Sequence, residues 1–308
     1  MKAIEITGPI QIEDIKIREI QKPAPAAKEI LVRIFAAGIN PVDWMAPAYN
    51  MFDVLGMPTS YIMGSDFSGV VEAVGLEVTG FKKGDAVFGT LELKKQGSFA
   101  EYAVLHEDLA VLKPEELSFE TAAAVPLAGQ TAQEALFEKL NLKKGERILI
   151  QAAAGGVGLF AVQLAHRAGA YVVAVASAKN ETFLKSLGAD EVFDYHNGYQ
   201  ALSSDFDAVL DSVSSADQTL KLVKKGGRYI SLTSAPDQDL AASLGVSAGN
   251  FLYQPSSDRL QRLSNLIAAG KLEVILDRNF GFDDIVEALK YQQAGHSRGK
   301  NILTIGAK

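Results

Sequence analysis

Ala153, Gly155 and Gly158 form an A-x-G-x-x-G spacing, with Gly156 and Val157 between them, inside ILIQAAAGGVGLFAVQLAHRAGAYVVAVASAKN, residues 148–180. The run before these residues is apolar. The run after them sets Val157, Ala161, Leu164 and Ala165 at the spacing of a helix face packed on a sheet. Strand, glycine turn and helix in that order predict a pyrophosphate site, against the plain alternative of a glycine-rich turn that binds nothing. The backbone must approach the ligand, side chains would block it, and the helix N-terminus supplies free N–H groups and the positive end of its dipole. The next strand, YVVAVAS, runs out into Ser177, Lys179 and Asn180, where an NADH-binding fold carries Asp or Glu for the ribose 2′-hydroxyl. A hydroxyl and an ammonium hold a 2′-phosphate that a carboxylate would repel, so the residue types predict NADPH. A solvated lysine in an ordinary loop is the plain alternative.

A second polar feature is AAGINPVDW, residues 36–44, which leaves the strand-like run EILVRIF and ends in the chain's one tryptophan. Asn40 before Pro41 is either turn chemistry, since Asn-Pro favours turn initiation, or an amide placed at a site. Asp43 has the position of a turn carboxylate accepting backbone N–H groups. Asp66, in GSDFSG, reads as a loop anchor, because no histidine or second carboxylate lies near it in sequence to form a proton-transfer pair. The chain has no cysteine, which excludes disulfides, thiolate nucleophiles and cysteine-ligated zinc. His106, His166, His196 and His296 are scattered, form no HxxxH or HExxH pattern, and read as surface or packing histidines.

The elements that must position these residues differ along the chain. MKAIEI, EILVRIF, SGVVEAVG, DAVFGTLEL and SFAEYAVL are short β-branched or aromatic runs between Gly, Pro and Lys-Gly turns, which predicts a small barrel or sandwich. Near residue 115 the texture changes to the alanine-rich helical run LSFETAAAVPLAGQTAQEALFEKL. From there RILIQAAA, YVVAVAS, DEVFDY, FDAVLDSV and RYISLTS alternate with helices, among them NETFLKSLG, capped by Gly188, and ADQTLKLVKKGG. That alternation predicts an α/β fold with a doubly wound parallel sheet covered on both faces. Two amphipathic helices, DRLQRLSNLIAAG and FDDIVEALKYQQAG, precede a closing strand, KNILTIG, that returns to the first domain. The expected domains are residues 1–118 plus 256–308, and residues 119–255.

At 308 residues, two domains are the prior. A net charge of −7 disfavours backbone-driven binding to nucleic acid. No apolar run approaches the roughly 20 residues of a membrane span, and MKAIEITGPI lacks a signal-peptide core, so a cytoplasmic location is expected.

Together the motifs AAGINPVDW, IMGSDFSGVVEAVG, FKKGDAVFG, AVPLAGQTAQEAL, AAAGGVG, SLGADEVFDY and RGKNILTIG resemble the medium-chain dehydrogenase/reductase superfamily, in its zinc-free, zeta-crystallin-like quinone oxidoreductase branch. The resemblance runs along nearly the whole chain. It implies a β-barrel-like substrate domain with an inserted Rossmann domain and the cofactor in the cleft between them. It also implies that Thr131 stands near the nicotinamide and Tyr195 beside the adenosine phosphate with Ser177 and Lys179. Ser212, Thr233 and Phe251 would line the cofactor, and Lys300 would approach it from the returning chain. A homodimer formed through Rossmann sheet edges is implied too, with RYISLTS as the candidate edge. Zinc-dependent members carry Cys where this chain has Asn40, and Gly-His-Glu where it has Gly64, Ser65 and Asp66. They carry a four-cysteine lobe where it has TLELKKQGS.

With those ligands missing together, no metal is expected, and a hydride donor suits acceptors that are already electrophilic: quinones and α,β-unsaturated carbonyls. The developing oxyanion then needs hydrogen-bond donors, of which one is worth about 3 kcal/mol. Asn40 is the expected donor, to that oxygen or to the nicotinamide ribose. Tyr49 or water is the expected proton source, and Tyr49 can equally be a packing aromatic. Two other readings stand: an NADPH-binding protein with a regulatory or interaction role, and an enoyl-thioester reductase.

Overall fold

The computed structural model describes residues 1–92 and 97–306. The end of DAVFGTLEL and the middle of TLELKKQGS, where the resemblance puts the missing lobe, therefore lie outside the described residues. The chain divides into two compact units, Met1–Gln130 with Pro255–Lys308, and Thr131–Gln254.

Glu29–Ile39 is the longest strand of the first unit and is buried along nearly all its length. Its sequence, EILVRIFAAGI, has branched side chains early and small ones late, so it packs on both faces and then lets neighbours come close. Asp66–Val74 pairs antiparallel along one side. The other side takes two partners in succession, Tyr102–His106 and then the closing strand Lys300–Thr304. The sheet extends through Ala86–Thr90 to Ala110–Leu112, and beyond the closing strand to Leu276–Gly281. Ile30, Val32, Ile34, Phe67, Val71 and Val87 form part of its core. The C-terminal segment thus completes the first unit by strand pairing. The expected boundary after residue 118 comes too early. The helix Phe119–Ala123 packs Ala123 against Ala36 and Ile302, and the Ser68 hydroxyl donates to the Phe119 carbonyl at 2.5 Å, so this segment belongs with the first unit.

The second unit holds a six-stranded parallel sheet. Its strands in chain order are Arg147–Ile150, Tyr171–Ala176, Glu191–Asp194, Phe206–Asp211, Val223–Ser231 and Ser247–Asn250, and they lie in the spatial order 3-2-1-4-5-6. That is the doubly wound dinucleotide-binding order, with its switch point between the first and fourth strands. Leu149, Val173, Val209 and Tyr229 contribute to a continuous core. Gly188 adopts φ +105° just past the helix Glu181–Ser186, as its capping position requires.

Two expectations fail here. ADQTLKLVKKGG is helical only in its first part, Ala216–Thr219 and the 3-10 turn Leu220–Leu222. Val223 already pairs with Phe206, and Gly226 turns at φ +81° within the strand. RYISLTS is not an edge either. Its strand is flanked by Phe206–Asp211 and Ser247–Asn250, so the short final strand, SAGN, closes the sheet.

Candidate functional site

In the second unit the residues singled out from sequence follow the C-terminal ends of the parallel strands. After Arg147–Ile150 the chain turns tightly, with Ala152 at φ +47° and the Ala153 N–H bonded to the Val175 carbonyl at 3.0 Å. The helix Gly156–Arg167 starts at Gly155. The first-turn N–H groups of Gly156, Val157 and Gly158 have no partner within the helix. A Cβ on Gly158 would lie 2.3 Å from the Ala152 carbonyl oxygen and 2.6 Å from the Ala153 Cα, so only glycine lets this helix start so close to the strand.

Ser177 follows the second strand and accepts from the Asn180 amide at 3.1 Å, and Lys179 is exposed. Tyr195 follows the third strand, half-exposed and stacked on His196. Ser212 follows the fourth, and its hydroxyl is buried without a partner. The Ser212 loop is held by Asp211, whose carboxylate accepts from Val213 N (2.8 Å), Ser215 N (2.9 Å) and the Tyr229 hydroxyl (2.5 Å). Burial, reinforced by that bond to Asp211, pushes the Tyr229 phenol far above its usual range, so it stays a donor. Thr233 is exposed and accepts from Ser214 at 2.8 Å, and Phe251 lies under the Lys139 ammonium at 5.2 Å. The Thr131 hydroxyl, like that of Ser212, is buried and unpartnered. Free helix N–H groups, two orphaned hydroxyls and a strand end without a carboxylate fit a phosphorylated dinucleotide.

The first unit gathers a different set. Asn40 ends the strand Glu29–Ile39 and begins the helix Pro41–Ala48, its N–H donating to Asp43 Oδ2 at 2.7 Å. It is 2% exposed, and its side chain is fully engaged. Nδ2 donates to Asp66 Oδ2 at 3.0 Å, with Gly38 O at 3.5 Å, while Oδ1 accepts from Lys300 Nζ at 2.5 Å. The Lys300 ammonium also donates to the Ile39 carbonyl at 3.0 Å and stands 3.6 Å from Asp66 Oδ2. Asp66 Oδ1 takes the Thr90 hydroxyl (3.0 Å) and Leu127 N (2.9 Å), the latter at the start of the helix Pro126–Gln133. Burial pushes the Asp66 carboxyl up and the Lys300 amine down, and their mutual attraction opposes both shifts. Because Asp66 faces the obligate donors Asn40 Nδ2, Leu127 N and Lys300 Nζ, the carboxylate is the form its surroundings satisfy. Burial also raises Asp43 to about 7, against the bond from Asn40 and the attraction of Lys300.

Asn40 is therefore not a free donor, because its amide hydrogens face Asp66 and Gly38. Lys300, expected at the cofactor, is 4% exposed with its ammonium among Ile39, Asn40 and Asp66. Tyr49 is outside this cluster, 64% exposed at the end of Pro41–Ala48 and edge-on to Trp44 at 5.7 Å. Sequence reasoning missed Asp211 as the anchor of the Ser212 loop. Its signal was a carboxylate closing the otherwise apolar strand FDAVLD.

A family model described as an alcohol dehydrogenase GroES-like domain matches residues 26–115, and one described as a zinc-binding dehydrogenase matches residues 187–303. A 2-methylene-furan-3-one reductase of Solanum lycopersicum is 37% identical, covering 98% of this chain and 79% of that protein. A chloroplastic NADPH-dependent alkenal/one oxidoreductase of Arabidopsis thaliana is 34% identical over 91% of this chain and 73% of that one. The solved structure of a quinone oxidoreductase from Coxiella burnetii superposes with a TM-score of 0.92 at 31% identity, covering 99% of both chains. The chain belongs to the medium-chain dehydrogenase/reductase superfamily, in its quinone oxidoreductase branch.

Within that superfamily the zinc of the second family description does not fit this chain. At the positions where the resemblance puts ligands stand an amide, the Ser65 hydroxyl and a carboxylate saturated by donors, with the Lys300 ammonium among them. Among the described residues no group of three His, Cys, Asp or Glu could hold a metal ion, and no helix is long and apolar enough to cross a membrane.

Proposed function

We infer that this medium-chain reductase is an NADPH-dependent oxidoreductase that transfers hydride to quinones or α,β-unsaturated carbonyls without zinc. The observation that carries the zinc-independent reading is the buried ammonium of Lys300 beside Asn40 and Asp66, a built-in cation on the strand ends where zinc-dependent relatives carry ligands. The relatives named for 2-methylene-furan-3-one and for alkenals and alkenones support an electrophilic alkene as acceptor.

NADPH, when bound, supplies the hydride. The chain's own contribution begins with binding. The first turn of Gly156–Arg167 offers N–H groups to the pyrophosphate, and Ser177, Lys179 and Tyr195 take the 2′-phosphate end. Thr131, Ser212, Thr233 and Phe251 line the remainder. Asn40 is a positioning residue here: it locks Lys300 against Asp66 and so fixes the turn into Pro41–Ala48 that carries Tyr49. Hydride addition to an enone leaves an enolate, which takes one proton to give the saturated carbonyl. The solvent-exposed Tyr49 phenol or water delivers that proton, so Tyr49→Phe separates the two sources.

Steady-state oxidation of NADPH and NADH against a panel of quinones, enals, enones and an enoyl thioester tests this reading. Turnover with enones or quinones and NADPH is expected. Tight NADPH binding without turnover would leave a cofactor-binding protein without this chemistry, and thioester turnover above that of simple enones would reassign the substrate. Ser177→Asp with Lys179→Ala should move preference toward NADH. A homodimer is part of the same proposal, now through the outer side of Ser247–Asn250, which ends the sheet. Light scattering that gives a monomer at micromolar concentrations would remove it. A cytoplasmic location is also proposed, to be checked by fractionation, given a relative described as chloroplastic.

A further inference from the structure

The third Rossmann strand brings a carboxylate to the place where the second strand lacks one. Asp194 pairs in register with Ala176, so Asp194 and the residue before Ser177 are Cα neighbours on adjacent parallel strands. An uncovered carboxylate at that rim would favour a ribose 2′-hydroxyl and oppose a 2′-phosphate. This one is covered. His196 Nδ1 lies 2.6 Å from Asp194 Oδ1, and the His196 backbone N–H donates to the same oxygen at 3.1 Å. Those two bonds hold the Asp194 carboxyl below its usual range. The imidazole is also stacked on Tyr195, with ring centroids 4.2 Å apart and planes 30° apart, and its side chain is 64% exposed, so its other nitrogen is open to a ligand.

The remaining charged groups on the elements packed here are accounted for. Lys179 is exposed on the turn that follows Ser177. Glu181 and Lys185 pair with each other at 2.7 Å on the adjoining helix, and Glu191, at the far end of the strand, is bound by Arg147 and Tyr171. Asp194 is the carboxylate the ring touches.

We propose that His196 is a specificity-determining residue for the adenosine 2′-phosphate: its imidazole bonds Asp194 and, when protonated, cancels that carboxylate's charge, leaving the charge of Lys179 unopposed by it. The proposal rests on the NADPH reading and deepens it. The neutral ring with its proton on Nδ1 still bonds Asp194 but leaves the carboxylate charge in place, so the preference for NADPH over NADH is larger with the ring protonated than with it neutral.

The test is calorimetric titration of the full chain and its His196→Gln, Asp194→Asn and double variants with NADPH and with NADH, at pH 6 and pH 8. The 2′-phosphate itself titrates near pH 6, roughly as other phosphomonoesters do, so the wild type is read against His196→Gln. Relative to that variant, the wild-type preference for NADPH should be about fivefold larger at pH 6 than at pH 8, the size of an exposed ion pair. Asp194→Asn should raise NADPH preference about threefold at pH 8, and the double variant should recover most of what His196→Gln loses. If the wild type prefers NADPH but all variants keep its preference and pH dependence within about twofold, the role of His196 is overturned while the NADPH reading stands. If the wild type binds NADH as tightly as NADPH, the NADPH reading fails and this inference falls with it.

Discussion

The polar cluster of the first unit and the rim of the second unit use similar residue types to opposite ends. Around Asn40 the charged groups and the amide have partners inside the protein: the Asn40 side chain, the ammonium of Lys300 and both oxygens of Asp66 are matched, while the Ser65 hydroxyl next to Asp66 is not. Along the rim the hydroxyl of Ser212 is buried without a partner, and so is that of Thr131 on the helix Pro126–Gln133. A saturated buried cluster fixes geometry, because each group left alone would cost its full desolvation. An unsaturated one is held ready for something that arrives.

Removing the cation from the saturated cluster should have the largest effect. Lys300→Met leaves Asp66 buried without its counter-charge and should cost about 3–5 kcal/mol in unfolding free energy, read from urea denaturation. NADPH binding by whatever protein remains folded should be little changed. Adding Asp66→Asn should return a large part of the loss, since the uncompensated charge is gone. A loss under about 1 kcal/mol would mean the ion pair contributes no more than a surface one.

Asp43 gives a pH-dependent version of the same contrast. In an unfolded chain an aspartate titrates near 4, whereas here it titrates at about 7. Between those values the folded state holds a proton the unfolded chain has released, so this group's contribution to stability falls as pH rises through the window and is fully lost above it. At roughly 1.4 kcal/mol per pH unit the loss reaches at most about 4 kcal/mol. Asp43→Asn keeps an acceptor for the Asn40 N–H and removes the titration. Its stability relative to wild type should therefore climb from pH 5 to pH 8. Parallel curves would show that Asp43 is ionised in the fold throughout.

How far each region was legible follows from the same difference. The rim was readable because its groups sit in one continuous strand–loop–helix–strand, where spacing alone sets Gly155, Gly158 and Ser177 on a common edge. The first unit's cluster was not, because Lys300 lies 260 residues from Asn40 and 234 from Asp66 in the chain. Only the antiparallel pairing of Asn301 with Ile39 brings them together, and no local pattern encodes that register. His196 was dismissed for a related reason: a lone histidine has no ligand spacing, and its partner Asp194 acquires meaning from the pairing with Ala176. The strand at Val223 was misread because KLVKKGG has helix formers, and parallel pairing overrode them.

On the rim, Gly158→Ala tests whether the close approach is required. Its Cβ would meet backbone atoms of Ala152 and Ala153, which cannot swing aside, so the helix start must shift. We expect NADPH affinity to fall roughly 30- to 100-fold, about 2–3 kcal/mol, by fluorescence titration. An unchanged Kd would mean that the loop does not hold the pyrophosphate.

Ser212→Ala should have the smallest effect and separates the two regions most cleanly. Its hydroxyl has no partner in the protein, so deleting it breaks no internal bond and should leave the urea midpoint within error of wild type. If that hydroxyl is reserved for the cofactor, NADPH affinity should fall by about fivefold, one hydrogen bond of ordinary net strength. The Asp211 bonds to Val213 and Ser215 hold the loop without the side chain, so a loss of affinity is not loop collapse. Stability that rises while NADPH affinity holds would make Ser212 a buried hydroxyl with no ligand to satisfy. In that case an orphaned polar atom would mark a tolerated cost rather than a binding site, and Thr131 would lose the same argument.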